Sequence, residues 1–127
     1  SSAWRFFDQP LQRWLLAPEP VDHGFDRWFP LAPTWPERLK ALGAAGIQHL
    51  VLLGGAQLSA DLLQADCVDA LQLTLVPQLL GGRFSWLPCT NAPLPAALAQ
   101  PGAWQSEGAE DLGDGEWLVR YRRIRSG

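Results

Sequence analysis

Two consecutive glycines, Gly54 and Gly55, are the best candidate for a functional site in this sequence. They follow an apolar run at residues 50–53, which predicts a strand that is covered on both faces, as in a parallel sheet. They precede a segment with leucines on one helical face. A helix N-terminus at the carboxyl end of a parallel strand presents free N–H groups and a partial positive charge. The glycine pair therefore predicts an anion site.

The glycine pair alone leaves two interpretations open. It could hold a phosphate or pyrophosphate, because glycine lets a ligand approach the backbone closely. It could equally be a strand-to-helix turn that needs glycine for its geometry alone. Neither the G-x-G-x-x-G pattern nor the P-loop pattern, which would decide between them, is present.

The two histidines do not suggest a metal site. His23 and His49 have no cysteine, histidine or carboxylate nearby at a metal-ligand spacing, and His49 is expected to be structural. The G-x-S-x-G pattern of serine hydrolases is also missing. Ser59 could hydrogen-bond a ligand near the glycine pair, although serine is common in the first turn of a helix.

Charged residues give weaker signals. Asp61, Asp66 and Asp69 could take part in proton transfer, but aspartate near helix ends is usually solvated. A basic cluster near the C-terminus could contact phosphate or nucleic acid. The favoured alternative is a solvated face on a terminal or edge strand, where charge prevents aggregation. The cluster comprises Arg120, Arg122, Arg123 and Arg125.

The composition is that of a globular protein. The chain has 127 residues, of which 47% are hydrophobic, and a net charge of -3, so we expect one domain with a real core and no affinity for nucleic acid or anionic membranes. No run of about twenty apolar residues predicts a membrane span. Cys67 and Cys89 do not form a C-x-x-C motif, and we expect free, buried thiols in a cytoplasmic protein.

The elements that would position the glycine pair belong to an α/β domain. Residues 35–76 alternate between helix and strand patterns, with strands at 47–53 and 70–76, which predicts a right-handed crossover unit. The first helix begins with capping-box spacing at Thr34 and Glu37, and the second runs from Gly55 to about Ala65. Short strands are predicted at 11–17 and within 25–31. Further strands at 103–107 and 116–124 are joined by a Gly-Asp-Gly turn at 113–115.

Several motifs in order along the chain resemble the C-terminal reductase domain of the bacterial bifunctional deaminase–reductase of riboflavin biosynthesis. The match covers about forty residues and is weak before Trp35. The matching segments are Leu42–Ile47, Gly54–Leu58, Leu62-Leu63, Val68-Asp69 and Leu73–Gly82, with Gly113–Gly115 before a final strand that ends at Val119–Arg122.

This resemblance implies a dihydrofolate-reductase-like three-layer α/β fold, with a mostly parallel central sheet and a C-terminal antiparallel hairpin. The family domain is longer, and its first, central strand lies upstream of anything matched here. We therefore expect residues 1–127 to form one partial reductase-like domain, truncated at the N-terminus. A sheet without a central strand leaves unpaired backbone groups, so rearrangement, domain swapping or a second chain must complete it, and a homodimer is expected.

The resemblance also implies an NADPH-dependent reductase. Its substrate would be a phosphorylated pyrimidine, 5-amino-6-(5-phosphoribosylamino)uracil, whose ribosyl group is reduced to ribityl. The family's glycine pair lies against the NADPH pyrophosphate. Carried over, the cofactor-binding residues are Leu53, Gly54, Gly55, Ala56, Gln57 and Leu58.

One departure from the family bears on catalysis. The family usually has glutamate immediately before the two glycines, and this chain has Leu53. The resemblance assigns no catalytic residue here. The alternative function is a catalytically inactive nucleotide-binding or oligomerisation domain of the same fold, and composition alone is equally compatible with a general α/β interaction module.

Overall fold

The computed structural model describes residues 10–82, 85–88 and 92–125. The chain divides into two compact units, Ser1–Leu50 and Val51–Gly127, and a single partial domain over residues 1–127 stays a prediction. The first unit contains β1 (Trp14–Ala17), β2 (Arg27–Pro30) and α1 (Trp35–Ala44). The second contains α2 (Ala56–Gln64), β3 (Ala70–Leu75), α3 (Ala96–Ala99), β4 (Trp104–Gly113) and β5 (Glu116–Arg123). Within the described ranges, no helix is long and apolar enough to cross a membrane.

The first unit is built on a two-stranded parallel sheet. β1 and β2 pair in register from Trp14 opposite Arg27. Phe29 on β2 is buried, and its ring centroid lies 5.2 Å from that of Trp14. The Arg27 guanidinium lies 4.6 Å from the Phe29 ring centroid, so a cation–π contact adds to the apolar packing.

Helix α1 begins at its predicted cap and ends at a glycine. The Thr34 hydroxyl accepts a hydrogen bond from the Glu37 N–H at 3.4 Å, which caps the first turn. At the other end, the Ile47 N–H donates to the Leu42 carbonyl at 3.1 Å. Gly46 has a φ of 105°. This is the Schellman arrangement, in which a residue with positive φ, usually glycine, ends the helix.

The second unit contains a three-stranded antiparallel sheet in the order β3-β5-β4. β5 is the central strand, and it pairs with β3 through Leu73 opposite Val119. The tight turn between β4 and β5 lies at the predicted Gly-Asp-Gly segment, and Asp114 has a φ of 55° there. The buried apolar residues of this unit are Ala60, Leu62, Leu63, Leu98 and Ala103.

The predicted central strand at 47–53 is wrong. Residues 47–55 have no strand or helix assignment, and the exposed fractions of Val51 and Leu53 are 76% and 94%. An apolar run indicates a tendency to be buried, but a strand forms only when a neighbouring strand accepts and donates its backbone hydrogen bonds. β3, the expected parallel partner, pairs instead with β5.

The prediction of a mostly parallel central sheet is also wrong. The larger sheet in the described part of the chain is antiparallel, and the parallel pairing is confined to β1 and β2. The mixed α/β composition and the C-terminal antiparallel hairpin are confirmed. The hairpin is longer than predicted because β4 begins at Trp104 and continues through two register shifts to Gly113.

Candidate functional site

The glycine pair has backbone angles that side chains rarely adopt. Gly54 has a φ of 113° and Gly55 a φ of 95°, both in the region that favours glycine. A Cβ atom added to Gly54 would meet nothing within 4 Å, and one added to Gly55 would meet only the Leu58 Cβ, at 3.9 Å. Backbone conformation therefore requires glycine here, since the described residues do not crowd either position.

Helix α2 begins directly after this turn with an uncapped N-terminus. Gly55 is its N-cap residue, so no side chain caps the helix. The first helical hydrogen bond runs from the Ser59 N–H to the Gly55 carbonyl at 2.9 Å. Within the described ranges, the N–H groups of Ala56, Gln57 and Leu58 have no partner. The first turn also contains no acidic residue, so these N–H groups and the helix dipole favour an anion.

Two side chains around the turn have defined surroundings. The Gln57 Nε2 donates to the Asp61 Oδ1 at 2.9 Å, one helical turn further along. Leu53, immediately before the turn, is 94% exposed. An apolar side chain at this position can contact a ligand but cannot hydrogen-bond it or exchange a proton with it.

Neither histidine belongs to a group of metal-ligating side chains in the described part of the chain. His23 and His49 are exposed. Across residues 10–82, 85–88 and 92–125, no group of three or more His, Cys, Asp or Glu side chains could hold a metal ion. Cys67 is a half-buried free thiol, and burial raises the pKa of this thiol. Cys89 lies outside the described residues.

The basic cluster lies on and just after β5, and carboxylates neutralise it. Arg120 pairs with Glu110 at 3.5 Å, and Arg122 pairs with Glu107 at 2.8 Å. β5 is the last of the described strands and the central strand of its sheet, so of the two predicted positions, terminal or edge, it has the terminal one. These two arginines each have a carboxylate partner within the sheet, which reduces the positive potential of this surface.

Arg123 and Arg125 converge on one carboxylate, that of Asp66. The Arg123 Nε and Nη2 donate to the two Asp66 oxygens, each at 3.0 Å. Arg125 reaches Asp66 and Asp69, again at 3.0 Å each. The hydrogen bond from Arg123, and then the charge of Arg125, lower the pKa of Asp66 below its usual value. An aspartate held ionised in this way is a poor proton donor near neutral pH.

This carboxylate cluster is the feature that sequence reasoning missed. The sequence pattern marks Asp66 only as a weak candidate for proton transfer. Asp66 follows helix α2 at the position where Gly46 follows α1. Aspartate adopts positive φ more readily than most residues, so its presence there does not by itself indicate an arginine partner.

Comparison with known proteins decides the family. The model of the RibD C-terminal domain matches residues 24–114, which is most of the chain. The chain belongs to the RibD C-terminal domain family. The resemblance seen in the glycine pair and the segments after it is therefore confirmed, and the match extends upstream of Trp35, where the sequence motifs were weak.

Two individual proteins resemble this family member. It is 34% identical over 107 residues to the riboflavin biosynthesis protein RibD of Haemophilus influenzae, covering 80% of this chain and 28% of the relative. A crystal structure of a protein assigned to riboflavin biosynthesis, from Shewanella sp. PV-4, matches with a TM-score of 0.67 at 20% identity, covering 93% of this chain and 64% of that one. The likeness to the crystal structure shows a shared fold. The chain spans less than two thirds of either protein.

Proposed function

We propose that this chain is an NADPH-dependent reductase of riboflavin biosynthesis that binds its cofactor at the Gly54-Gly55 turn. The proposed substrate is the phosphorylated pyrimidine 5-amino-6-(5-phosphoribosylamino)uracil, whose ribosyl group is reduced to ribityl. One observation carries the proposal: an open glycine turn leads into the uncapped N-terminus of α2, in a chain that matches the RibD C-terminal domain.

The residues at the turn fit the anionic part of NADPH. The unpaired N–H groups of Ala56, Gln57 and Leu58 would donate to the pyrophosphate oxygens. Gly54 and Gly55 leave room for the backbone to approach it, since among the described residues no atom lies within 4 Å of a Cβ placed on Gly54. NADPH, when bound, supplies the hydride, and the part of the protein is to bind and orient the reactants.

The first experiment is a titration with NADPH that follows the fluorescence of the seven tryptophans. We expect saturable quenching, with competition from NADP⁺. A flat titration, supported by calorimetry without a binding isotherm, would count against both the reductase and an inactive nucleotide-binding domain. The second experiment adds the pyrimidine substrate and follows the loss of NADPH absorbance, which separates a reductase from a binding domain.

Leu53 favours the alternative function, a catalytically inactive nucleotide-binding or oligomerisation domain. Its exposed apolar side chain stands where the family resemblance has glutamate. If the wild type binds NADPH without turnover, the Leu53→Glu variant is expected to gain turnover, and the Leu53→Gln variant, which matches it in size, is not. A Leu53→Glu variant that binds NADPH and still shows no turnover would remove Leu53 as the explanation.

The oligomeric state belongs to the same proposal. Four consecutive apolar residues, Leu50 to Leu53, are exposed, and an exposed apolar run of this kind favours association. We propose a homodimer. Sedimentation velocity over a range of protein concentrations tests it, and a single monomeric species at all concentrations would contradict it.

A further inference from the structure

Helices α1 and α2 end in the same way but with different residues. In α2, the Cys67 N–H donates to the Leu62 carbonyl and the Asp66 N–H to the Leu63 carbonyl, both at 2.9 Å. This repeats the Schellman arrangement at the end of α1. The residue with positive φ is Gly46 in α1, with a φ of 105°, and Asp66 in α2, with a φ of 51°.

Aspartate is a poor local choice for this position. A residue with a Cβ atom is less favourable than glycine at positive φ, although aspartate tolerates it better than most. Its negative charge also lies beside the partially negative C-terminus of the helix, where a cation would be favoured. Both effects act against Asp66, and an interaction outside the helix offsets them.

The compensating interaction comes from Arg123. Its guanidinium forms two parallel hydrogen bonds to the Asp66 carboxylate, each 3.0 Å long. The Arg123 side chain is only 7% exposed, and its Nη1 also donates to the Ala103 carbonyl at 3.1 Å. Since Arg123 is the last residue of β5, the pair joins the end of α2 to the central strand of the sheet.

Arg125 extends this connection to the loop after the helix. It contacts Asp66 and Asp69 at 3.0 Å each, and its Nη2 also donates to the Val68 carbonyl at 3.3 Å. A planar, bidentate arginine–carboxylate pair fixes orientation as well as distance. The carboxyl-terminal end of α2 is therefore held against the sheet by directional contacts.

We propose that Asp66, acting through Arg123, is a positioning residue that holds α2 so that its first turn and the Gly54-Gly55 turn present their N–H groups in a fixed direction. This inference rests on the proposed function of that turn. The helix has nine residues and is about 13 Å long. In this proposal it shifts as a unit, so that releasing its carboxyl-terminal end changes the position of Gly55. Asp66 does not contact the ligand in this proposal.

The Asp66→Gly variant tests the inference. Glycine suits the positive φ and removes the carboxylate, so the helix end keeps its preferred backbone while the connection to β5 is lost. We expect the amide NMR resonances of Gly54, Gly55 and Ser59 to shift and the Kd for NADPH to rise about two- to thirtyfold. Glu107→Gln is the matched control, because it removes the carboxylate from another arginine pair on the same sheet and should change neither quantity.

The Asp66→Asn variant covers the case in which Asp66→Gly does not fold. Asparagine tolerates positive φ and keeps one oxygen that can accept from Arg123, so this variant should show the same resonance shifts with a smaller rise in Kd. If either folded variant leaves the resonances of Gly54 and Gly55 where the wild type has them, the inference is overturned, even if the melting temperature falls. If wild type does not bind NADPH, the proposed function fails, and the resonances of Gly54 and Gly55 still decide whether Asp66 positions the turn.

Discussion

Replacing Gly55 with alanine tests the proposed nucleotide site at its most constrained residue. Gly55 has a φ of 95° and a ψ of 97°, and holding an L-residue in a conformation of this kind costs about 1–3 kcal/mol. The new Cβ would lie 3.9 Å from the Leu58 Cβ, which is ordinary contact, so the cost arises in the backbone alone. We expect the turn to rotate away from this conformation, which redirects the first N–H groups of α2.

The expected loss of affinity follows from those N–H groups. A hydrogen bond to a charged acceptor contributes about 1.5–3 kcal/mol. The loss of one such bond to the pyrophosphate should raise the Kd for NADPH about ten- to a hundredfold. Tryptophan fluorescence titration measures the Kd, and urea unfolding measures the stability of the same samples.

The control is Gly43→Ala, which adds a Cβ atom inside α1 where nothing lies within 4 Å. It should leave the Kd for NADPH unchanged. The reasoning is refuted if Gly55→Ala loses stability as expected but binds NADPH within twofold of wild type, because the backbone of the turn would then not determine affinity.

Three further predictions concern stability. Gly46→Ala places a methyl group at a φ of 105° and should lower the unfolding free energy by about 1–2 kcal/mol. Gly43→Ala, inside the helix that Gly46 ends, should raise the unfolding free energy by about 0.5–1 kcal/mol. Equal effects of the two variants in urea unfolding would contradict this explanation. Because Arg123 lowers the pKa of Asp66 in the folded state, the stabilising contribution of Asp66 is present above its unfolded pKa of about 3.9 and is lost as the pH falls through the lower folded value. The difference in stability between wild type and Asp66→Asn should therefore shrink below about pH 4, and thermal unfolding that shows the same difference at every pH would be inconsistent with the ion pair. Gly115→Ala would bring a Cβ atom to 3.0 Å from the Pro77 Cγ at a φ of 79° and should lower the unfolding free energy by about 1–3 kcal/mol. An unchanged urea midpoint would contradict this prediction, because the hairpin tip would then adjust without a cost in stability.

Local sequence signals predicted the elements whose determinants are themselves local. Thr34 caps α1 as the capping-box spacing indicates, and the Gly-Asp-Gly turn joins β4 and β5. The alternating leucines of β3 also mark a strand correctly. Caps, turns and alternation depend on a few neighbouring residues, so their sequence patterns carry most of the information.

Long-range determinants could not be predicted in the same way. The apolar run at 50–53 resembles a buried strand, but strand formation depends on a partner elsewhere in the chain, and the described residues provide none. The contact between Asp66 and Arg123 joins residues 57 positions apart. No sequence pattern relates two such positions, and an aspartate after a helix is by itself no sign of an ion pair.

The central place of β5 has a consequence for how the second unit acquires its structure. β5 is synthesised after both strands that it joins. Ala70 of β3 pairs with Arg122 of β5, so most of the unit's sequence lies between these two paired residues. Neither β3 nor β4 has a sheet partner in the described chain before β5 is available. Pairing at such sequence separation closes a long loop before it gains any hydrogen bonds, and this slows folding. Until β5 has been synthesised, the leucines of β3 lack their sheet partner, and an unpaired apolar strand of this kind is prone to aggregate during folding.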